Sequence, residues 1–589
     1  MQVALIACDL WIQQASLRLW ASISRRIPLA ELQNPNQQSG RQNVHTILAL
    51  SLVFFLALLG VQAFQQKKPV ESKSKPSSTV IPAAPNTLVA AAQANQESMK
   101  ASSESEIIVE NKFYRIRFSN RGGQVLSWIL KQYTDDSGKP LDLVNQRAAS
   151  LHGYPLSLYT QKAGLTKQLA EALYEPSSSG RLVAPGKLTF TYSEGGVSVI
   201  KTFTFDQSYI VGADILVTDH GMPVAASLCW PSGLGDQETL QNYNVDGRFD
   251  ASLNGKFVSQ TVKSITTGVV QAGSYDYAGV SDLYFAAIFL PEHSTKTTVL
   301  NLRNEISIPR TNGQTHSALS DVVSVPGVAV GNGEGHIRLR LFAGPKAIEL
   351  LSSVHALAPD GSLTGPDLEP LVRFGLLRIV AKPLFLALNW IHVHLVHSWG
   401  WAILILTLFI NLVLMPTRIK SMRSQLKMQH IQPQINAIRA RFKDCKMGDP
   451  HLLEMNKEIF DLQKKEGINV FGGMLPLLLQ MPLLYGFYRM LQNVIELRHA
   501  EWLWLHDLSS LDPLHVLPVF FVVTMFLLQL LTPSSGTDPV QRKMMALVLP
   551  VLGFFMTWKV GAGLALYWSF GNVISIVQQV VVSRMRPVG

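Results

Sequence analysis

Long apolar stretches fill the last third of this chain, and polar residues recur inside them. About 20 predominantly apolar residues are enough for a helix to cross a bilayer. Polar groups in the hydrocarbon core are costly and usually mark a functional path. The pattern therefore predicts a polytopic α-helical membrane protein with six transmembrane helices and a polar groove.

The composition agrees with a membrane protein. Only 16% of the 589 residues are charged, whereas soluble proteins contain about 25%. Much of the net charge of +10 lies beside apolar stretches. The three cysteines, Cys8, Cys229 and Cys445, offer no disulfide framework and no CxxC metal site, because the predicted topology separates Cys229 from the others. We expect no metal ion and no cofactor.

The first predicted membrane helix is the uncharged run 45–64, which is long for a signal peptide and lacks a clean cleavage site. We interpret it as an uncleaved signal anchor. Residues 1–44 are then a cytoplasmic extension, either genuine or the product of an upstream start. A flexible linker rich in Pro, Ser and Ala follows at 65–105.

A β domain is predicted for 106–346. Tyr114, Ile116 and Phe118 alternate with arginines, and two β-rich runs meet across the turn at 193–196. Many short strands separated by turns are typical of an all-β sandwich. After it, 368–390 is predicted to be an amphipathic helix in the membrane interface, since Arg373, Arg378 and Lys382 interrupt its apolar residues.

Five further membrane helices complete the predicted topology. A basic cluster beginning with Arg418 and Lys420 follows the first of them, and Arg584 and Arg586 close the chain. The positive-inside rule then places both termini in the cytoplasm and the β domain on the outer side of the membrane. The predicted spans are 392–416, 470–495, 513–532, 543–558 and 563–583.

Residues 417–469 are predicted to form a cytoplasmic antiparallel hairpin of coiled-coil type. Apolar residues recur at gaps of three and four on both sides of a Gly-Asp-Pro turn. The basic residues are either a solvated face or a docking surface for anionic lipid, ribosomal RNA or a nascent chain. They are Arg439, Arg441, Lys443, Lys446, Lys464 and Lys465.

Polar residues inside the predicted spans are candidates for the surface of a groove. Each alone is explained by an interhelical hydrogen bond, worth roughly 0.6–2 kcal/mol. Their convergence on shared helix faces favours a hydrophilic groove. The candidates are Thr407, Asn411, Gln480, Tyr485, Tyr488, Arg489, Gln492, Thr524, Asn572, Ser575 and Gln579.

The runs at 472–491 (GGMLPLLLQMPLLYGFYRML), 496–518 and 563–568 (GLALYW) closely resemble the YidC/Oxa/Alb family of membrane-protein insertases. Similarity is continuous over roughly 340–583. The resemblance implies a groove open to the cytoplasm and to lipid, and a periplasmic β-supersandwich as in Gram-negative members. It also implies an ATP-independent insertase and folding chaperone for nascent membrane proteins. This insertase works alone or with the Sec translocon and its accessory subunits, with the ribosome as a further possible partner besides membrane lipids.

The chain departs from the family at one position. Members usually carry a groove arginine on the helix before the hairpin, and Asn411 stands there. One interpretation is that Arg489 supplies the missing charge from another helix. The other is that Arg489 extends to the periplasmic interface.

Other functions fit the sequence less well. A secondary transporter usually shows internal repeats, and we find none among these spans. An enzyme is disfavoured because HExxH, GxSxG and GxxxxGK[ST] are all missing. Carbohydrate binding by the β domain would rest on fold analogy alone.

Overall fold

The computed structural model describes residues 98–135, 137–237, 247–292, 297–309, 320–358, 360–442, 450–468, 475–532 and 539–584. The predicted extension, the span at 45–64, most of the linker and the tip of the hairpin lie outside these residues. The chain divides into two compact units. The described residues of the β unit belong to Thr87–Trp390 and Leu484–Ser510, and those of the helical unit belong to Ile391–Leu483 and Leu511–Gly589.

Within the described residues, the strands of the β unit form three sheets. The first contains β1 (Glu106–Glu110), β2 (Tyr114–Ser119), β3 (Gln124–Thr134), β4 (Pro140–Asp142) and β7 (Gly180–Val183), in the order β4-β3-β2-β1-β7. The third contains β5 (Leu158–Thr160), β12 (Ala226–Trp230), β15 (Val270–Gly273), β18 (Thr297–Pro309) and β19 (Ser320–Asn332), in the order β15-β18-β19-β12-β5.

The second sheet is the largest, with ten strands. It contains β6 (Glu175–Pro176), β8 (Gly186–Glu194), β9 (Val197–Phe205), β10 (Ile210–Asp219), β11 (Met222–Pro223), β13 (Arg248–Leu253), β14 (Lys256–Thr261), β16 (Tyr275–Ser281), β17 (Phe285–Pro291) and β20 (His336–Pro345). The order is β14-β13-β16-β17-β20-β10-β9-β8-β6, and β11 pairs with β10. The predicted β-rich domain is confirmed.

The alternating sequence explains why these segments become strands. Tyr114, Ile116 and Phe118 on β2 are all buried, and the intervening arginines are exposed. The predicted hairpin joins β8 to β9 with Glu194 opposite Val197. Its two-residue loop, Gly195–Gly196, has φ angles of +63° and +83°. Two consecutive positive φ values are what a tight hairpin turn requires, and glycine adopts them without strain.

A buried lysine lies in the core of the β unit. Lys201 on β9 is fully buried, and its Nζ donates to the carbonyl oxygens of Gly122, Gly123 and Leu156 at 2.7, 3.1 and 2.9 Å. The ammonium group lies 5.5 Å from the centre of the Tyr174 ring. Burial lowers the pKa of Lys201 to about 7. The three carbonyl oxygens replace the water molecules that the ammonium group loses when it is buried.

The helices include three short ones in the β unit and seven longer ones. The short helices are α1 (Gln146–His152), α2 (Ala163–Glu171) and α3 (Ile348–Ser353). The longer ones are α4 (Arg378–His394), α5 (Trp399–Arg441), α6 (Pro450–Lys465), α7 (Leu475–Asn493), α8 (Val516–Leu531), α9 (Pro539–Thr557) and α10 (Ala562–Arg584).

Two helices of the described part are long and apolar enough to cross a membrane by length and composition. They are α5, with a mean hydropathy of 2.0 in its apolar window, and α10 over Ala562–Val581. Val516–Leu531 and Leu547–Thr557 are apolar but shorter. The count of six spans therefore stays a prediction.

The boundaries differ from those predicted at three places. Residues 98–105 were expected in the linker, yet Met99 pairs with Ser193. The predicted interfacial helix 368–390 begins instead as two 3-10 turns, and α4 starts only at Arg378. The positive φ of +69° at Gly375 lies outside the helical region, so a continuous helix cannot run through this residue.

The third difference concerns the span at 392–416 and the first hairpin arm. They form one continuous helix, α5, of 43 residues. Pro416 and Pro433 lie inside this helix without ending it. Near Pro416, Thr417 Oγ1 donates to the carbonyl of Leu414 at 2.7 Å. Proline is tolerated in membrane helices because neighbouring groups satisfy the carbonyls that it leaves without a partner.

Candidate functional site

One face of α5 carries the polar residues of the helical unit. Thr407, Asn411 and Arg418 are separated by four and seven residues, and these spacings return to the same side of an α-helix. Thr407 and Asn411 are buried, although the same helix exposes Phe409, Leu412 and other apolar side chains. This part of the helix therefore buries polar residues together with apolar ones such as Ile403 and Leu406, while other apolar side chains stay exposed.

Arg418 is the cation of this face, and three neutral side chains hold its guanidinium group. Nη1 donates to Ser575 Oγ at 2.8 Å and to Gln578 Oε1 at 3.2 Å. Nη2 donates to Gln480 Oε1 at 3.0 Å. The acceptors belong to α7 and α10. Arg418 thus links three helices through hydrogen bonds that contribute more than neutral pairs do.

The side chain of Gln578 connects Arg418 with Asn411. Its Nε2 donates to the backbone carbonyl of Asn411 at 3.3 Å, while its Oε1 accepts from Arg418. Asn411 Nδ2 donates to the carbonyl of Thr407 at 2.7 Å, and its Oδ1 is buried without a hydrogen-bond partner among the described atoms. We call Asn411, Arg418, Gln480, Ser575 and Gln578 the polar cluster.

A second polar pair joins α8 to α10. Asn572 Nδ2 donates to Thr524 Oγ1 at 3.3 Å, and this hydroxyl also donates to carbonyls of its own helix, those of Phe520 and Phe521. Thr524 is buried. The pair and the polar cluster both involve α10, so this helix presents polar groups along much of its length.

The electrostatic state of the polar cluster is unusual. In the part of the chain that the structure describes, no carboxylate lies within 4 Å of the Arg418 guanidinium. Burying a charged group is costly unless it is paired or hydrogen-bonded. Neutral acceptors compensate for part of this cost but leave the positive charge in place.

The other predicted groove residues of α7 belong to the β unit. The rings of Tyr485 and Tyr488 have centroids 6.3 Å apart. Arg489 Nη2 donates to the carbonyl of Arg373 at 2.9 Å. Gln492 is partly buried, and Gln579 on α10 is buried. The structure thus brings Asn411, Gln480 and Ser575 together, whereas Arg489 has its partner, Arg373, within the β unit.

Four of the six predicted docking residues lie on α5 and α6. Ile431 and Ile435 of α5 pack with Ile459 and Leu462 of α6 and with Ile468, which follows α6. Arg441 Nη2 contacts Glu458 Oε2 at 2.5 Å. Lys464 and Lys465 are exposed, and Arg439 is partly buried. Lys443 and Lys446 lie outside the described residues.

Arg418 and Gln578 were not among the predicted groove residues. Arg418 follows Pro416, and we counted it among the basic residues that set the topology. Its spacing of seven residues from Asn411, which places both residues on one face of a helix, was the signal that could have identified it. Gln578 is adjacent to the predicted Gln579. Gln578 is the one that contacts Arg418, and the rotation of the helix over one residue separates it from Gln579.

Comparison with known proteins identifies the family. The family described as 60Kd inner membrane protein matches residues 390–587, and the YidC periplasmic domain matches residues 106–387. The membrane protein insertase YidC of Geobacter sulfurreducens is 31% identical over 80% of this chain and 85% of its own. This chain belongs to the YidC family. Its β domain corresponds to the periplasmic domain of that family, and the chain is a protein of the inner membrane.

Further relatives agree with this membership. The membrane protein insertase YidC of Paraburkholderia xenovorans is 34% identical over 67% of this chain and 68% of its own. A crystal structure titled as an active YidC insertase with its first transmembrane domain resolved covers 82% of this chain and 93% of its own, at 19% identity. Its TM-score of 0.32 is too low to support a conclusion about the fold.

Proposed function

We propose that this chain is a membrane protein insertase and folding chaperone, and that its clients are nascent membrane proteins. The curated relatives carry the name of an insertase, and that name supports a function other than that of an enzyme. The observation that carries the mechanism is the polar cluster within apolar helices. Such groups are expensive in a bilayer unless they serve a polar ligand or path.

The energetics explain what a polar surface contributes to insertion. An apolar segment gains roughly 0.3–0.6 kcal/mol per Leu-like residue on entering the bilayer. The barrier is the transfer of the polar flank that precedes the segment, because its backbone and side chains lose water. Polar side chains in the path replace part of that water. Insertion can then proceed without ATP, driven by partition of the apolar segment.

The proposed groove contains all the predicted positions of the helical unit and of α7. Asn411, Gln480 and Ser575 join Arg418 in the polar cluster, and Thr524 and Asn572 form the second pair. The remaining proposed members are Thr407, Tyr485, Tyr488, Arg489, Gln492 and Gln579.

The proposed topology has six transmembrane helices, with both termini in the cytoplasm. The α5–α6 pair is then the cytoplasmic hairpin. Its exposed Lys464 and Lys465, together with Arg439 and Arg441, would dock anionic lipid or a ribosome that delivers the client. The chain would work alone on small clients and with the Sec translocon on large ones.

Protease protection of a single-span client tests this function. The client is added to proteoliposomes that contain the wild type, to empty liposomes, and to two variants. We expect the wild type to protect the client, and the double variant Thr524→Val/Asn572→Leu to protect less. Val577→Leu, at a residue of α10 that is 56% exposed, is the matched control and should behave as the wild type. Equal protection in empty liposomes would refute the proposal.

A further inference from the structure

The connection between α7 and α8 contains a compact turn with a leucine at its tip. Trp502 N donates to the carbonyl of Leu505 at 2.8 Å, and Leu505 N donates to the carbonyl of Trp502 at 2.9 Å. Two such bonds across two central residues are the pattern of a two-residue hairpin loop, and Leu503 is the first central residue. Leu508 N also donates to the carbonyl of Ala500 at 3.1 Å. We call the segment that this last bond closes the finger.

Leu503 is unfavourable at this position in two respects. Its φ is +52°, a left-handed conformation that is an outlier for a bulky residue and that turns normally assign to glycine or asparagine. Its side chain is also 68% exposed, whereas Trp502, Leu505 and Leu508 are buried. Strained residues persist where the surrounding structure fixes them, and they are concentrated at functional sites. A strained and exposed leucine therefore indicates a partner that favours an apolar side chain at the tip.

The residues just before the finger fix it to the β unit. The Arg498 guanidinium lies 5.2 Å from the centre of the Phe285 ring and 5.5 Å from that of Tyr284. Thr134 Oγ1, at the end of β3, lies 3.0 Å from His499 Nδ1. Cation–π contacts and hydrogen bonds of this kind hold a loop in one position. The β unit therefore presents the finger at a fixed place on its surface.

We propose that the finger inserts into the outer leaflet of the membrane, and that Leu503 contacts lipid acyl chains there. The proposal rests on the proposed topology and is independent of insertase activity. The flanking segments 470–495 and 513–532 are predicted spans, so both ends of the connection are tethered to the bilayer on its outer side. Tryptophan is enriched at membrane–water interfaces, and Trp502 and Trp504 flank Leu503 with ring centroids 5.9 Å apart.

Insertion accounts for both unfavourable features of the tip. A leucine that moves from water into acyl chains gains free energy in proportion to the apolar area that it buries, and this gain offsets the cost of the left-handed backbone. The four residues of the turn carry no charge. Glu501 and His506, on either side of it, are exposed and would stay among the polar headgroups. Insertion is thereby limited to one turn, and the finger gives the β unit a lipid contact of its own.

Fluorescence quenching of the full chain in proteoliposomes tests this contact. Cys8 and Cys445 are first replaced by serine, while Cys229 is buried and is kept. An NBD label is then attached to one introduced cysteine at a time. The lipids carry a quencher either in the middle of the acyl chain or on the headgroup. The two preparations therefore separate insertion of the label from its proximity to the membrane surface.

Four labelled positions are compared. Leu503→Cys places the label at the tip. Val519→Cys, 53% exposed on α8 in a predicted span, is the reference for acyl chains, and Met222→Cys, 70% exposed on β11 of the same β unit, is the matched reference for water. Glu501→Cys leaves Leu503 in place and is measured with and without Leu503→Asn. Because asparagine accepts a positive φ, this change removes the apolar tip without opposing the turn.

We expect acyl-chain quenchers to quench the labels at 503 and 519 to a similar extent, and to leave the label at 222 unquenched. The emission of the label at 503 should be shifted to the blue relative to that at 222, because acyl chains are less polar than water. The label at 501 should be quenched from the headgroups. Leu503→Asn should remove most of this quenching, since the finger then loses its apolar contact with the leaflet.

Four results would overturn the proposal. Quenching at 503 from the headgroups alone would mean that the tip touches the surface without inserting. A label at 503 that behaves like the one at 222 would mean that the tip lies in water, and a blue-shifted label that neither quencher reaches would indicate a protein partner. An unchanged label at 501 in Leu503→Asn would show that the tether alone holds the finger near lipid, and this measurement decides the matter if Leu503→Cys does not fold. An unquenched label at 519, in contrast, would refute the proposed topology itself.

Discussion

The substitution Lys201→Met measures how much the buried lysine stabilises the β unit. Methionine keeps most of the apolar chain but removes the ammonium group. The carbonyls of Gly122, Gly123 and Leu156 then lose a donor at 2.7–3.1 Å. An unsatisfied buried polar group costs about 1–3 kcal/mol. Three carbonyls lose their donor at once, and part of their summed cost is offset because no charge remains to be buried, so we expect a net loss of about 2–4 kcal/mol at pH 7.

The pH dependence of the free energy of unfolding gives a second, independent test of the buried lysine. Burial lowers the pKa of Lys201 from 10.5 to about 7. Between these values the unfolded chain binds more protons than the folded chain, so the free energy of unfolding rises with pH. The slope from this one group is at most about 1.4 kcal/mol per pH unit. Lys201→Met should remove that slope between pH 7 and pH 10.

Thermal unfolding of the full chain in detergent, followed by tryptophan fluorescence, measures both quantities. Trp128 and Trp230 are fully buried with ring centroids 5.9 Å apart, so they report on this core. Lys187→Met, at an exposed lysine of the neighbouring strand β8, is the matched control. If both variants lose the same stability, the three carbonyl contacts contribute nothing. If the wild type and Lys201→Met show the same pH slope, the lowered pKa is refuted.

Three further predictions concern the β unit. Burial raises the pKa of Glu496 to about 7 from 4.5; its contribution to stability is complete below pH 4.5 and is lost as the pH rises through 7. Glu496→Gln should therefore stabilise by up to about 3 kcal/mol at pH 8 and leave stability at pH 4.5 unchanged in thermal melts. Gly196→Ala should cost about 1–2 kcal/mol more than Gly195→Ala, because its Cβ would lie 2.6 Å from His220 Nε2 whereas nothing lies within 4 Å at Gly195; an equal cost in urea unfolding would contradict this. Phe118→Ala should cost about 3–5 kcal/mol by the same measurement, since Phe118 is fully buried among three other phenylalanine rings, and a loss below 1 kcal/mol would mean that the site collapses around the cavity.

The β unit was predictable from local sequence, because its signals act over a few residues. Alternation along β2 and the Gly195–Gly196 turn each determine one strand or one hairpin without reference to distant parts of the chain. The order of the strands within the three sheets was not predictable in this way. Strand β20, for example, pairs with β10 although more than a hundred residues separate them.

The candidate site was predictable as a set of helix faces but not as a set of contacts. Periodicity placed Ser575 on a polar face, and Asn411 was recognised as a polar residue at depth. Neither pattern indicates which residue of another helix an arginine reaches. Arg418 was assigned to the start of the hairpin at 417–469 and counted only for its charge, whereas one helix in fact continues from the predicted span through it. The long, flexible arginine side chain then carries the charge back toward the span, which a sequence position alone does not reveal.

The continuous helix α5 has a mechanical consequence. Its 43 residues correspond to a rod about 64 Å long, roughly twice the thickness of the hydrocarbon core of a bilayer. One part of the rod packs against α6, and another carries Arg418. Prolines are the usual places where a helix bends, and Pro416 precedes Arg418 by two residues. A bend at Pro416 would therefore move the arm that packs against α6 relative to the segment that carries Asn411 and Thr407, with Arg418 next to the pivot.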